Sequence, residues 1–172
     1  MAVLVYHGTV HNFDVPLLSR CKDHKDFGKG FYLADDLEHA RSVARKGYLL
    51  NPFNSEKYVY SYRIDLSEMD KLGLKIHIFD GADYAWLEFV MRNRNMLDVE
   101  DYDVIIGPTA DKDAQKDIEN FYRKYGWNAS DQAKDMLLMK LKTDIYGKQY
   151  CFRTEDAINY LNKHFCERRS FV

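Results

Sequence analysis

Apolar and polar positions along the chain fall into short blocks, and each block predicts an element. "AVLVYH" (2–7) is a continuous apolar run ending in a polar residue, the pattern of a short buried strand. Residues 8–27 read as an irregular stretch around Pro16, and "GFYLA" (30–34) as a second strand whose leading glycine permits a turn or a close backbone approach. "DDLEHARSVARKG" reads as a helix, with Asp35 and Glu38 at capping-box spacing and Gly47 as a stop. "KYVYSYRID" (57–65) alternates with period two and predicts a strand, as does "LKIHIF" (74–79). "ADYAWLEFVMRNR" (82–94) is an amphipathic helix with Trp86, Phe89 and Val90 on one face. "YDVIIG" (102–107) is an apolar strand brought to an end by Pro108. Two helices follow, "DKDAQKDIENFYRKYG" to Gly126 and "SDQAKDMLLMKLK" with Ser130 as N-cap. "KQYCFR" (148–153) is a strand, and "TEDAINYLNKHF" a last helix capped by Thr154. Strands at both ends with helices between them predict an α+β domain rather than a regular βαβ series.

Composition narrows the class. A chain of 172 residues without repeats, low-complexity tracts or linkers reads as one domain spanning 1–172. The net charge of −2 gives no footprint for nucleic acid or an anionic membrane, although it is compatible with a local basic groove. Three cysteines without a CxxC argue against a disulfide framework. The first residues lack a signal-peptide pattern, and no window approaches the ~18 apolar residues of a membrane helix. A soluble, cytoplasmic protein is expected.

"DFGKGFYLADD" (26–36) poses the chemical question, because glycine-rich loops before helices often cradle phosphate. Neither phosphate motif fits. A dinucleotide fingerprint needs a third glycine where Leu33 stands, and a Walker loop needs Ser or Thr where Gly30 stands. His7 and His11 are four apart, but the first ends a strand, so the two would not share a helix face for zinc. No metal is expected, and the remaining histidines read as solvated surface. Cys151, inside an alternating strand, reads as a small core residue rather than a nucleophile.

The informative pattern is joint. "YHGT" (6–9), "FGKGFYLADD" with its helix, and "KQYCFRTEDAINYL" (148–161) come in that order. Together they resemble the ADP-ribosyltransferase superfamily, in its poly(ADP-ribose) polymerase-like and diphtheria-toxin-like branch. His7-Gly8-Thr9 is similar to that family's His-Gly-Ser/Thr strand. Gly28 to Asp35 is similar to its Gly-x-Gly-Ile-Tyr-Phe-Ala-Asp strand, and Gln149 to Thr154 resembles its final Glu-Tyr-x-Val-Tyr-Asp strand. The chain also resembles a bacterial family that shares these blocks together with "WLEFVMRNR" and "YDVIIGPTAD".

The resemblance implies split antiparallel sheets with flanking helices, and NAD as co-substrate in a mono-ADP-ribosyl transfer. Breaking the ribose–nicotinamide bond builds positive charge on the sugar, so a site must pin the nicotinamide amide, grip ribose hydroxyls and stabilise that charge. By resemblance, His7 bonds the adenine-side ribose, Gly8 pins the nicotinamide amide through its backbone, and Tyr32 stacks on the nicotinamide ring. Thr9, Gly30 and Phe31 complete the binding strands. Taken alone, Phe31 and Tyr32 read as alternating strand residues, one in and one out; the joint pattern of the three blocks reverses that reading.

Two departures qualify the match. Where the family carries a glutamate on the ribose 2′-OH, this chain has Gln149. It keeps an acceptor but has no charge and cannot serve as a base. Losing one such electrostatic contact commonly costs about 10²–10³ in rate, so chain elongation is not expected. In the helix after Tyr32, Ala40 and Val43 stand where relatives place a Ser and a second aromatic, with Ser42 and Tyr48 as possible substitutes. Glu88 and Asp111 are candidate replacement acids. For Glu88 a solvated helix face or a pairing with Arg92 at i+4 is the favoured reading, and Asp111 reads as well as a helix N-cap.

Transfer to an unknown acceptor, a protein sooner than a nucleic acid, is the leading expectation. A toxin-like role with an antitoxin partner accompanies it, and no membrane partner is expected. An NAD glycohydrolase and a catalytically silent NAD- or ADP-ribose-binding module are the rivals.

Overall fold

The computed structural model describes residues 1–50, 56–96, 100–110, 112–141 and 147–171. The chain is α+β. In chain order its elements are β1 (Ala2–Thr9), β2 (Phe31–Ala34), α1 (Leu37–Leu50), β3 (Lys57–Asp65), α2 (Leu66–Lys71), β4 (Ile76–Ile78) and α3 (Tyr84–Arg94). Then come β5 (Val104–Pro108), α4 (Lys112–Tyr125), α5 (Asp131–Lys140), β6 (Lys148–Phe152), α6 (Glu155–Lys163) and β7 (Phe165–Phe171). The strands form one seven-stranded sheet in the order β4-β5-β6-β2-β1-β3-β7. β4 and β5 run parallel and every other neighbouring pair is antiparallel.

Alternation along the central strands divides the apolar side chains between two faces. Val104 and Ile106 of β5, with Tyr150 and Phe152 of β6, join a core closed by Met69 of α2 and by Ala157, Ile158 and Leu161 of α6. Ile105 and Cys151 turn the other way, into a core built by α3, α4 and α5 around Trp86, Leu87, Ile118 and Leu137. Burial on both faces explains why β5 reads as an unbroken apolar run.

Several local expectations meet the same backbone logic. Ser130 and Thr154 cap α5 and α6, accepting from the N–H groups of Ala133 and Ala157. Trp86, Phe89 and Val90 are the buried side of α3, whose first turn is capped by Asp83 accepting from Trp86 N–H. α1 differs from its expected form. Asp36, not Asp35, accepts from the Glu38 N–H at its start, while Asp35 accepts from the Lys148 backbone N–H of β6. The helix also runs through Gly47 rather than stopping there.

Two elements have no clear sequence signature. α2 follows β3 without a break, because Asp65, the last strand residue, also accepts from Ser67 N–H as an N-cap. β7 is a mostly exposed edge strand with the composition FCERRSF, and its pairing with β3 decides its conformation. β4 is shorter than the expected 74–79 strand.

α1 lies against β1 at unusually close range. A Cβ at Gly8 would stand 1.7 Å from the Ala40 carbonyl oxygen, so only glycine lets this helix seat. Gly8→Ala is expected to cost about 3 kcal/mol or more. For a chain of this size that lowers the melting temperature by roughly 6–12 °C in a thermal denaturation scan. A shift under about 2 °C would mean that α1 is free to move off the strand.

Candidate functional site

The sheet is joined unevenly. β1 pairs with β3 along its whole length and β2 with β6 along all four of its residues, but β1 and β2 share a single partner pair, Tyr6 with Ala34. Past that pair the strands part, and a cavity of about 960 Å³ opens along the seam. That volume suits a cofactor-sized ligand. His7, Gly8 and Thr9 of the first block line it, together with Gly30, Phe31 and Tyr32 of the second and Gln149 of the last.

His7 is held across the seam. Its Nδ1 lies 2.7 Å from the Tyr32 carbonyl oxygen, which can only accept, so Nδ1 carries the hydrogen and Nε2 is left as an acceptor. The ring packs on Phe31, centroids 4.3 Å apart, and edge-on to Phe13. Burial lowers its pKa to about 4, the Tyr32 carbonyl opposing the shift and His11 adding slightly to it. Near neutral pH His7 is therefore an uncharged acceptor facing the cleft.

The glycines around Lys29 serve Tyr32 rather than a phosphate. Gly28 sits at φ 75°, a turn that favours glycine. A Cβ at Gly30 would stand 2.4 Å from Cys151 Sγ and 2.8 Å from the Phe152 carbonyl oxygen, so β2 can reach β6 only without a side chain there. The turn brings the loop back onto the phenol that follows it. Tyr32 accepts from Phe27 N–H at 3.0 Å and donates to the Gly28 carbonyl at 2.7 Å. Burial first, then the neighbouring Cys151 and Asp26, push this phenol well above its usual pKa, so it remains a protonated anchor. Cys151 is fully buried beneath it, its thiol pushed up to about 12 by burial, which makes it a core residue and no thiolate nucleophile.

Gln149 is buried, and its amide donates to Asp26 Oδ2 at 3.0 Å and to the Pro108 carbonyl at 3.1 Å. Both partners are acceptors, which fixes the direction of the amide and leaves Oε1 as its remaining polar atom. Asp26 is the residue that sequence reasoning missed. It is 5% exposed, lines the cleft, and is held by Arg94 through Nε at 2.8 Å and Nη2 at 2.6 Å. Its only signal was its place at the head of the glycine block. Thr109 also lines the cleft, and its buried Oγ1 has no hydrogen-bond partner among the described residues.

The wall bears charge as well. Arg20, Lys22, Lys25 and Lys46 line the cavity against Asp14 and Asp26, so a locally basic cleft exists in a chain of net charge −2. The loop that carries three of these cations is pinned by Phe13, stacked on Tyr60 at 4.1 Å with its N–H donated to the Tyr60 hydroxyl.

Other candidates fall outside. Glu88 does not line the cleft. It lies on the exposed side of α3 and pairs with Lys134 of α5 at 2.9 Å, in place of the expected Arg92. Ser42 is on α1 but not in the lining, whereas Ala40 and Val43 are. The Tyr48 ring sits instead under the Lys57 ammonium, 4.4 Å away. Asp111 and its capping role lie outside the described residues. His77 is half-buried rather than fully solvated, its ring packed against Phe79 and Tyr102. Among the described residues, no group of His, Cys, Asp or Glu could hold a metal ion, and no helix is long and apolar enough to cross a membrane.

The lowered His7 pKa has a consequence for stability. Above pH 6.5 the imidazole is neutral in both folded and unfolded chains. Between 6.5 and about 4 the unfolded chain takes the proton and the folded one does not. Stability is therefore lost as pH falls through this window, by on the order of 3 kcal/mol for this group. Urea midpoints measured across it should fall less steeply for His7→Gln than for the wild type; equal slopes would contradict the buried neutral imidazole.

No curated protein and no solved structure matches the chain. A family model does, over residues 3–163, a span that takes in all three sequence blocks and every residue of the cleft named above. The chain belongs to the family described as a protein of unknown function, DUF3990.

Proposed function

We propose that the chain is an NAD-dependent mono-ADP-ribosyltransferase of ADP-ribosyltransferase-like fold. The observation that carries this reading is the meeting of His7, Tyr32 and Gln149, drawn from three distant blocks, in one cleft. The strands form one mixed seven-stranded sheet in place of the expected split antiparallel sheets, and the weakly paired β1–β2 seam is taken as the counterpart of that split.

The residues fit the group. Bound NAD supplies a ribosyl unit whose bond to nicotinamide breaks as positive charge grows on the sugar. Neutral His7 offers Nε2 to a ribose hydroxyl, and Gly8, which lines the cleft beyond the last β1–β2 pair, offers its backbone to a carboxamide. The Tyr32 ring, anchored through its hydroxyl, offers a fixed face for stacking. Gln149 Oε1 accepts from a second ribose hydroxyl. Arg20, Lys22, Lys25 and Lys46 match a pyrophosphate, and the unpartnered Thr109 hydroxyl is a donor awaiting an acceptor. An amide at position 149 cannot take a proton from the incoming nucleophile, which favours one transfer over chain growth.

That same amide favours a second reading, a module that binds NAD or ADP-ribose without turnover. Nicotinamide release separates the two. Purified protein given labelled NAD and a lysate should label a macromolecule. His7→Ala and Tyr32→Ala should each lower labelling by about 10²-fold, while Glu88→Gln should match the wild type. Equal labelling by all variants would refute the site. Release of nicotinamide without any labelled macromolecule would assign water as the acceptor. Binding by calorimetry with no release would favour the silent module.

A further inference from the structure

Where the resemblance leads one to expect a carboxylate in the cleft, the chain has an amide, and behind that amide lies a buried carboxylate. Asp26 and Gln149 are separated by more than a hundred residues and meet at 3.0 Å. Asp26 Oδ2 takes the Gln149 amide and Oδ1 takes two nitrogens of Arg94. The third guanidinium nitrogen, Nη1, goes on to Glu119 at 2.9 Å. Two carboxylates and one guanidinium leave this chain of contacts with a net charge of −1, from −2 and +1. Asp26 shows little surface to the cleft, whereas Glu119, at the far end, is exposed to solvent.

We propose that Asp26 is a positioning residue that acts through Gln149: it holds the amide with Oε1 toward the ribosyl hydroxyl and polarises it with negative charge. The pair thereby divides between two residues the acceptor and the charge that a single carboxylate would combine. This rests on the NAD reading above. The geometry of the pair explains why an amide stands here. A glutamate in its place would turn an oxygen toward both Asp26 Oδ2 and the Pro108 carbonyl, with no hydrogen for either. Restoring the family's acid would thus set three acceptors against one another in a buried site.

The inference predicts an order of activities that a purely structural Asp26–Arg94 ion pair would not produce. Nicotinamide release is measured for the purified full chain as wild type, Gln149→Glu, Asp26→Asn and the exchanged double variant D26N/Q149E, each with a thermal melt and separate kcat and KM. Gln149→Glu should fall about tenfold or more below the wild type in kcat. Asp26→Asn should fall comparably. In the exchanged variant the amide now at position 26 can donate to the carboxylate now at position 149. Its kcat should stand about tenfold above that of Gln149→Glu, short of the wild type because Pro108 still lacks its donor. A structural ion pair predicts instead that activity follows the melts and that the double variant is the worst of the three.

Gln149→Glu faster than the wild type overturns the inference, as does an exchanged variant no faster than Gln149→Glu. If Asp26→Asn does not fold, Gln149→Glu against the wild type decides alone. If the wild type binds NAD without turnover, the same order is sought in Kd. A wild type that neither binds NAD by calorimetry nor releases nicotinamide overturns the NAD reading and this inference together. Activity in the wild type with the variants in the wrong order overturns the inference alone.

Discussion

One hydrogen bond, from the His7 imidazole to the Tyr32 carbonyl at 2.7 Å, spans the seam where β1 and β2 cease to pair. A continuous ladder at this point would have closed the sheet and left no cleft. Without this tie the two halves of the sheet would be joined by the Tyr6–Ala34 pair and the apolar core they share, and the packing of His7 on Phe31 would loosen. The side-chain bond replaces the missing backbone bonds while keeping the strands apart. It also sets the tautomer of His7, because the carbonyl demands a hydrogen on Nδ1 and so leaves Nε2 bare. The structural tie and the chemical character of the residue are a single fact.

The glycine loop follows from the same constraint. Tyr32 meets His7 through its carbonyl, and its phenol bonds back to Phe27 and Gly28. That closed loop carries Asp26 inward to Gln149 and Arg94. The imidazole, the phenol and the amide are thus linked through the backbone of residues 26–32, and a change at one is felt by the others. A buried charge shared among Asp26, Arg94 and Gln149 is costly to break, since any single truncation leaves a buried polar group without its partner.

The cations of the cleft show how far local chemistry departs from bulk composition. The chain as a whole is slightly acidic, yet Arg20, Lys22, Lys25 and Lys46 converge on one cavity from a loop and a helix. Net charge is a sum over the surface and carries no information about where charges of one sign collect.

Patterns with a short period were legible in the sequence. The α+β class, most elements, the caps at Ser130 and Thr154 and the buried face of α3 follow from alternation, from 3.6-residue spacing and from side chains that bond their own next turn. The juxtaposition of His7, Tyr32 and Gln149 was expected only through the resemblance of their three blocks to a known family, and no local pattern implies it. Other features depended on partners far along the chain. β7 is a strand because β3 offers it an edge. Asp35 bonds Lys148 instead of capping its own helix, and Glu88 meets Lys134 instead of Arg92. Asp26, the carboxylate that meets Gln149, is marked locally only by its place at the head of the glycine block. Backbone geometry and hydrophobic period act over a few residues and are written in order along the chain; the pairing of buried charges is decided by which segments the folded core brings within 3 Å, and that belongs to the tertiary structure alone.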